Sequence, residues 1–476
     1  MRKSLLLALA CVCEFSLADG LPNLGGDAAQ GGLTTAQERE IGEGAMREIR
    51  RSGDLAEDPE IVAYLNRLGA RLVDAAGVVD TRYTFFPVKD KTVNAFAIPG
   101  GYIGVHTGLI VIAQHESELA SVLAHEVAHV SQHHIARLID GTRISPLVSL
   151  ASLGAAILAA HAGSGDAAAA ALTVGTGYNI QKQLDFTYAF EQEADRIGMQ
   201  TLSNAKFDPA AMAGFFERLQ KHNRLEESNA PEFLRTHPVT FKRIADAQAR
   251  VADQPYRQTP DSADFLFVRE KARGLQMKPS DAVEFYRKTL AEKRYGNEAA
   301  HRYGFAHALY LARDYDGAWQ ALQQARAAYK PGHAALEFLA GSIRLAQQRG
   351  DEALAIFDKA IGQFPSSRAL VYGRIDALTS AGKLDRALAE TLDAQSLYPG
   401  DAQFYQRAAR IHTRLGQPMQ AHKAQGEYYA RLQEYAPAIE QMRLALRQPG
   451  NDFYLLSSIE ARLRELEALA KKTGGK

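Results

Sequence analysis

Four phrases in the C-terminal half recur at nearly equal intervals and constrain the fold more than any other feature. "PSDAVEFYRKTL", "DYDGAWQALQQA", "RGDEALAIFDKA" and "KLDRALAETLDA" superpose on Ala282, Ala318, Ala353 and Ala387, in steps of 36, 35 and 34 residues. Ala421 continues the series less clearly, and Pro365 and Pro399 close the second helix of their units. A period near ~34 residues is that of a helix pair that cannot bury its apolar face alone and must stack on copies of itself. Small alanines let paired helices approach closely, while the larger apolar residues fill the seams. The chain beyond about residue 256 is therefore expected to be an all-α superhelix. "EYAPAIEQMRLALRQPG" falls out of phase and is expected to cap it.

The remaining half must form a separate core, because 476 residues are too many for one. The polar, Pro-containing stretch "VADQPYRQTPDSAD" (251 to 264) reads as the linker between the two. The expected division is a signal peptide at 1–18, a first domain at 19–255 and the array at 256–472. The leader "MRKSLLLALACVCEFSLADG" has basic Arg2 and Lys3, an apolar run from Leu5 to Cys13, and small Ser16 and Ala18 before a cleavage point at Asp19. Export to the periplasm is the expectation. A lipoprotein site ending at Cys11 is the lesser alternative, since the apolar run before it is short. Both cysteines lie in this leader, so the mature chain has no thiolate for a disulfide or a metal. Lys+Arg and Asp+Glu balance at 55 each, which gives no electrostatic case for nucleic acid. The Ala- and Leu-rich segment 146–172 is interrupted by His161 and a Gly-Ser-Gly-Asp break, leaving it too short to span a membrane. A buried helical hairpin fits it best, and peripheral membrane contact is the alternative.

Within the first domain, Thr34 to Ala76 is helical in pattern, with Asp58-Pro59 as a cap pair. "YTFFPVKD" and "VNAFAIPGGYIGVHTGLI" read as short strands, the last two joined at Pro99-Gly100-Gly101. The architecture is thus mainly α with a small β-sheet. A helix from about Glu116 to Asp140 follows, a second charged helix runs from about Phe186 to Asn204, and another starts at Asp208-Pro209. The helix from Glu116 carries "HEVAH", which puts His125 and His129 on one face, where both imidazoles can meet one metal ion. Glu126 stands one step round, in reach of a water on such an ion. Zinc needs a third protein ligand. His133 and His134 are nearby candidates, but catalytic zinc usually recruits this ligand from another element. "FEQEADRIG" offers Glu191, with Asp195 four residues on to orient a ligand imidazole. The chemistry expected is peptide hydrolysis by one zinc ion per chain, with Glu126 as general base.

These residues resemble a known family. "NAFAIPGGYIGVHTGL", "HEVAHV", "EQEADRIG" and "THPVTFKRI" occur in the order found in the zinc peptidases related to CAAX prenyl proteases and HtpX. With a leader and tetratricopeptide (TPR) repeats, the chain is similar to their soluble periplasmic members across nearly its whole mature length. The resemblance implies zinc ligands at His125, His129 and Glu191, the base at Glu126 and an orienting carboxylate at Asp195. It adds His237 and Arg243 as active-site residues, with His237 filling the open zinc position in a self-inhibited state. It also gives the edge strand Asn94, Ala95, Phe96, Ala97 and Ile98 a use, as a backbone template for extended substrate. The partners implied are polypeptides, in particular outer-membrane proteins or their assembly machinery, met through the TPR domain. The activity implied is quality control of these proteins as protease and assembly chaperone. The alternative is a TPR-based chaperone or assembly factor with proteolysis secondary.

Overall fold

The structure, a computed structural model, describes residues 33–79, 81–141, 177–225, 232–252, 259–450 and 452–474. The expected signal peptide at 1–18, with Cys11 and Ala18, and the segment 146–172 lie outside the described residues. The chain is mainly helical, with one small mixed sheet in the first domain and a helical repeat array after it.

Two capped helices open the described chain. α1 (Thr35–Ser52) starts in a capping box formed by Thr34 and Gln37. α2 (Pro59–Ala76) has Pro59 in its first turn, and the Asp58 carboxylate accepts from the Glu60 and Ile61 amides. The sheet has the order β1-β3-β2. β1 (Thr84–Val88) lies parallel to β3 (Tyr102–His106), and β2 (Ala95–Ile98) lies antiparallel to β3. The β2–β3 turn needs Gly100 and Gly101, whose φ values of 81° and 88° are left-handed. A Cβ on Gly101 would also stand 2.3 Å from the Arg82 carbonyl oxygen. β2 is therefore an edge strand, with β3 its one partner among the described residues.

α4 (Glu116–Ser131) follows the short α3 (Thr107–Ile112) and is buried along nearly its whole length. The sequence predicts one helix to about Asp140, but the chain breaks at Gln132–His133 and resumes as α5 (His134–Gly141). His133 takes φ 50°, and the Gln132 and His133 amides cap back onto the Ala128 and Val130 carbonyls. The break sets His134 Nδ1 against His129 Nδ1, five residues earlier, a contact that an unbroken helix would not make. α6 (Gly177–Asn204) begins earlier than expected and packs across α4. α7 (Ala210–Leu225), capped by Asp208, then α8 (Glu232–Thr236) and α9 (Phe241–Ala252) complete the domain. One apolar core, with Leu65, Leu72, Ile103, Val105, Leu119, Leu123, Phe215 and Phe233 at its centre, ties α2, the sheet and α4 to α7 and α8.

α10 (Ala263–Leu275) joins the two halves by packing rather than as a loose tether. Its Phe265, Val268 and Ala272 enter the first core, while Phe267 enters the first core of the array. Its cap residue Ser262 donates to the Glu116 carboxylate at the start of α4, at 2.8 Å. Among the described residues, six helix pairs run from α10 to Gly474. The repeat alanines Ala282, Ala318, Ala353 and Ala387 all fall in the second helix of a pair with no exposed surface, as the period requires. Phe357 shows how tightly units seat: its ring fills the space where a Cβ on Gly341 or Gly373 would stand. The array curves back toward the first domain. Lys271 on α10 bonds Asp58 at 2.6 Å and also Glu60, and Arg50 on α1 donates to the Leu432 carbonyl at 3.1 Å. Between α2 and the array lies a cavity of about 340 Å³ lined by Arg67, Asp264, His333 and the 363–369 turn. No helix among the described residues is long and apolar enough to cross a membrane.

Candidate metal centre

Helical spacing puts His125 and His129 on one face of α4, and Glu191 and Asp195 on one face of α6. Gly198, three residues after Asp195, makes the crossing possible. A Cβ there would lie 3.2 Å from the His125 backbone nitrogen, so a larger residue would push the helices apart. His237 arrives from the turn after α8, its amide bonded to the Phe233 carbonyl and its ring stacked on Phe233 at 4.9 Å.

One ligand atom each from His125, His129, Glu191 and His237 falls within 4.8 Å of all the others. The two Nε2 atoms of His125 and His129 are 3.0 Å apart, and each is 3.3 Å from a Glu191 oxygen. His237 Nδ1 is 2.9 Å from Glu191 Oε1 and 3.3 Å from His125 Nε2. Four ligands at zinc-like bond lengths of ~2.0–2.1 Å define a tetrahedron with edges of about 3.3 Å. Glu126 lies beside this group, with His237 Nε2 at 3.4 Å from one carboxylate oxygen. Both oxygens of Glu126 are buried with no hydrogen-bond partner among the described residues. Buried carboxylates without donors are costly unless a ligand supplies the missing charge.

Arg243 on α9, fully buried, organises the carboxylates. Its Nε and Nη2 take the two oxygens of Asp195 at 2.6 and 2.8 Å, and Nη1 reaches Glu191 Oε2 at 2.8 Å. Asp195 in turn stands 3.0 Å from His125 Nδ1. Burial pushes the carboxyls of Asp195 and Glu191 up, but Arg243 and His125 for the first, and His237, His125 and His129 for the second, hold both below the ordinary range. Burial likewise lowers His125, yet Asp195 and Glu191 overcome it and raise the imidazole to about 10. His129 is lowered, chiefly by burial. Glu126, Glu191 and Asp195 gather three acidic side chains around Arg243, a surplus of acid groups that suits a metal cation. The donor set, the spacing and this charge all fit a metal ion.

His133 and His134, the nearby rivals for third ligand, are outside the donor group. His133 turns to Glu38 on α1 at 3.2 Å, and His134 Nδ1 meets His129 Nδ1 at 2.9 Å with Nε2 facing Glu193 at 3.2 Å. Sequence reasoning missed the pairing of His134 with Glu193, since it joins two helices far apart in sequence. Ala95 to Ile98 form β2 and Asn94 precedes it, its carbonyl accepting from the His106 amide at 3.0 Å. β2 packs beside α4, and a groove of about 90 Å³ passes between Ala97, Ile98 and the His129–His133 segment.

The fold and site together define a metallopeptidase carrying helical repeats, and the chain belongs to Peptidase family M48, whose pattern matches residues 59–251. Residues 303–368 and 338–402 match the tetratricopeptide repeat. The chain is 39% identical over 341 residues to the beta-barrel assembly-enhancing protease of Escherichia coli (strain K12), covering 71% of this chain and 69% of that protein. The Yersinia pestis protein of the same name is 36% identical over 72% of this chain and 70% of its own length. The mitochondrial metalloendopeptidase OMA1 of Schizosaccharomyces pombe is 33% identical over 42% of this chain and 56% of its length. The protein is therefore a metalloendopeptidase with TPR repeats.

Proposed function

We propose that the chain is an exported zinc endopeptidase that acts on outer-membrane β-barrel proteins or their assembly machinery in the periplasm, as protease and assembly chaperone. The observation that carries this reading is the donor tetrad of His125, His129, Glu191 and His237 beside the unpartnered carboxylate of Glu126. The outer-membrane and periplasmic parts rest on the likeness to the beta-barrel assembly-enhancing proteases.

His125, His129 and Glu191 would hold one zinc ion, which would supply the Lewis acidity that polarises a peptide carbonyl and acidifies the attacking water. Glu126 takes the water's proton on its free carboxylate and returns it to the leaving amine nitrogen. Asp195 fixes the tautomer of His125, so that Nε2 keeps its lone pair for the ion. Arg243 keeps one oxygen of Glu191 occupied and the other directed at the centre. The edge of β2 from Asn94 to Ile98 pairs with an extended substrate backbone, which selects conformation more than side chain. His237 fills the fourth corner and crowds Glu126, a resting state that substrate must displace.

Glu126→Gln should keep zinc while casein cleavage falls to background; retained cleavage would remove Glu126 as the base. The second reading, an assembly factor with proteolysis secondary, draws on the long array joined to the peptidase at Lys271 and Arg50. In cells, Glu126→Gln separates the two: full outer-membrane integrity with this variant favours the chaperone role.

A further inference from the structure

His125 and His129 have unlike supports on the side away from the ion. Behind His125 Nδ1 stands a carboxylate, Asp195, at 3.0 Å. Behind His129 Nδ1 stands another imidazole, His134, at 2.9 Å. His134 is itself 3.2 Å from Glu193 through Nε2, and Arg137 Nη1 closes the chain on the same Glu193 oxygen at 3.0 Å. The ring of His134 is sandwiched by packing as well as by bonds: it stacks on Phe190 at 4.5 Å with 15° between the planes. The Arg137 guanidinium lies over Phe190 at 4.7 Å. His134 is 3% exposed and Glu193 8%, so water does not compete for these bonds.

The proton positions follow from valence. His129 Nε2 faces the other donors and needs its lone pair there, so its proton is on Nδ1. His134 Nδ1 must then accept, which places its own proton on Nε2, aimed at the Glu193 carboxylate. Every lone pair and proton in the row is matched. The left-handed turn at His133 is what brings α5 back to make this contact.

We propose that His134, oriented by Glu193 and Arg137, is a positioning residue that holds His129 in its metal-binding tautomer and orientation. This goes beyond the proposed function but rests on its reading of His125, His129 and Glu191 as ligands. The role is separate from that of Asp195, which serves the other imidazole.

The experiment is zinc affinity, by competition with a chromophoric chelator, in purified full-length protein and its variants, alongside the visible spectrum of the cobalt-substituted forms. His134→Phe keeps the stack on Phe190 and removes the acceptor; its zinc affinity is expected to fall about 10–100-fold. His134→Asn, whose amide oxygen can stand where Nδ1 stood, is expected to recover part of that loss and part of the cobalt spectrum. Equal zinc affinity in wild type and His134→Phe overturns the proposal. So does equal loss in both variants, because an acceptor restored at the Nδ1 position would then be without effect. Should His134→Phe fail to fold, Glu193→Ala carries the same test: a drop in affinity supports the row and an unchanged value overturns it. Wild-type protein that binds no zinc would instead refute the metal reading beneath it.

Discussion

At the scale of single residues, the Arg243 guanidinium serves three acceptors from two segments: Asp195 and Glu191 on α6 and the carbonyl of Pro238, beside His237. Its planar fork matches the two oxygens of Asp195, which a lysine ammonium cannot do. Removing it leaves two buried carboxylates short of their cation, a defect that costs roughly 3–5 kcal/mol. Arg243→Ala should therefore lower the thermal midpoint of the metal-free protein strongly, and Arg243→Lys should recover only part, by calorimetry. His237 is held differently, by a backbone bond, a ring stack on Phe233 and a single contact with Glu191. His237→Ala should leave zinc bound through the other three ligands and raise the basal rate of casein cleavage. An unchanged or lower rate would assign His237 a catalytic or structural part in place of a gate.

At the scale of elements, the centre depends on α4 and α6 crossing at Gly198. Gly198→Val would force its branched side chain against the His125 backbone and Met212, with overpacking worth about 1–3 kcal/mol. The larger effect should be on zinc, whose affinity in a chelator titration should fall further than stability, because the ligands sit on both helices. Much of this element-level picture can be read from the sequence. The caps at Asp58 and Asp208, the hairpin at Gly100-Gly101 and the repeat alanines are local or periodic signals, and the structure has them where the pattern points. His125 with His129, and Glu191 with Asp195, are legible for the same reason, since four residues is a helix's own repeat. What is illegible depends on distant contacts. The break at Gln132–His133 contains neither Gly nor Pro, and a left-handed histidine reveals itself only when α5 is seen folded back. His134 with Glu193 is likewise a pairing across helices, hidden in a row of histidines that all look like candidate ligands.

At the scale of the whole molecule, the array meets the peptidase at places far apart along the chain. Near its start, Asp264 accepts from Arg67 of α2 and from His333 of the array, at 2.9 and 3.0 Å. The bond from His333 is the main reason that the Asp264 carboxyl lies below its ordinary value of 3.8, with burial opposing and Arg67 assisting. A depressed carboxyl contributes stability that is present above its unfolded value and lost as pH falls through the folded one. Melting temperatures should thus drop on acidification below about pH 4, and Asp264→Asn should remove that part of the slope. The pair is half-exposed, so the difference should not exceed about 1 kcal/mol. Further along, Arg47 and Arg50 of α1 donate to the Gln433 side chain and the Leu432 carbonyl, at 3.4 and 3.1 Å. The two attachments differ in kind. Lys271 sits among Asp58 and Glu60 in the interior, where separating charges is expensive, so that end behaves as a hinge. The Arg50 end is fastened by half-buried hydrogen bonds, each worth about 0.5–1.5 kcal/mol, and is the weaker of the two. A superhelix with one stiff and one weak fastening swings open from the weak end first. The 340 Å³ space beside α2, lined by Lys271 and Glu60 themselves, lies at the stiff end and would keep its form, as would the metal centre braced by its own core.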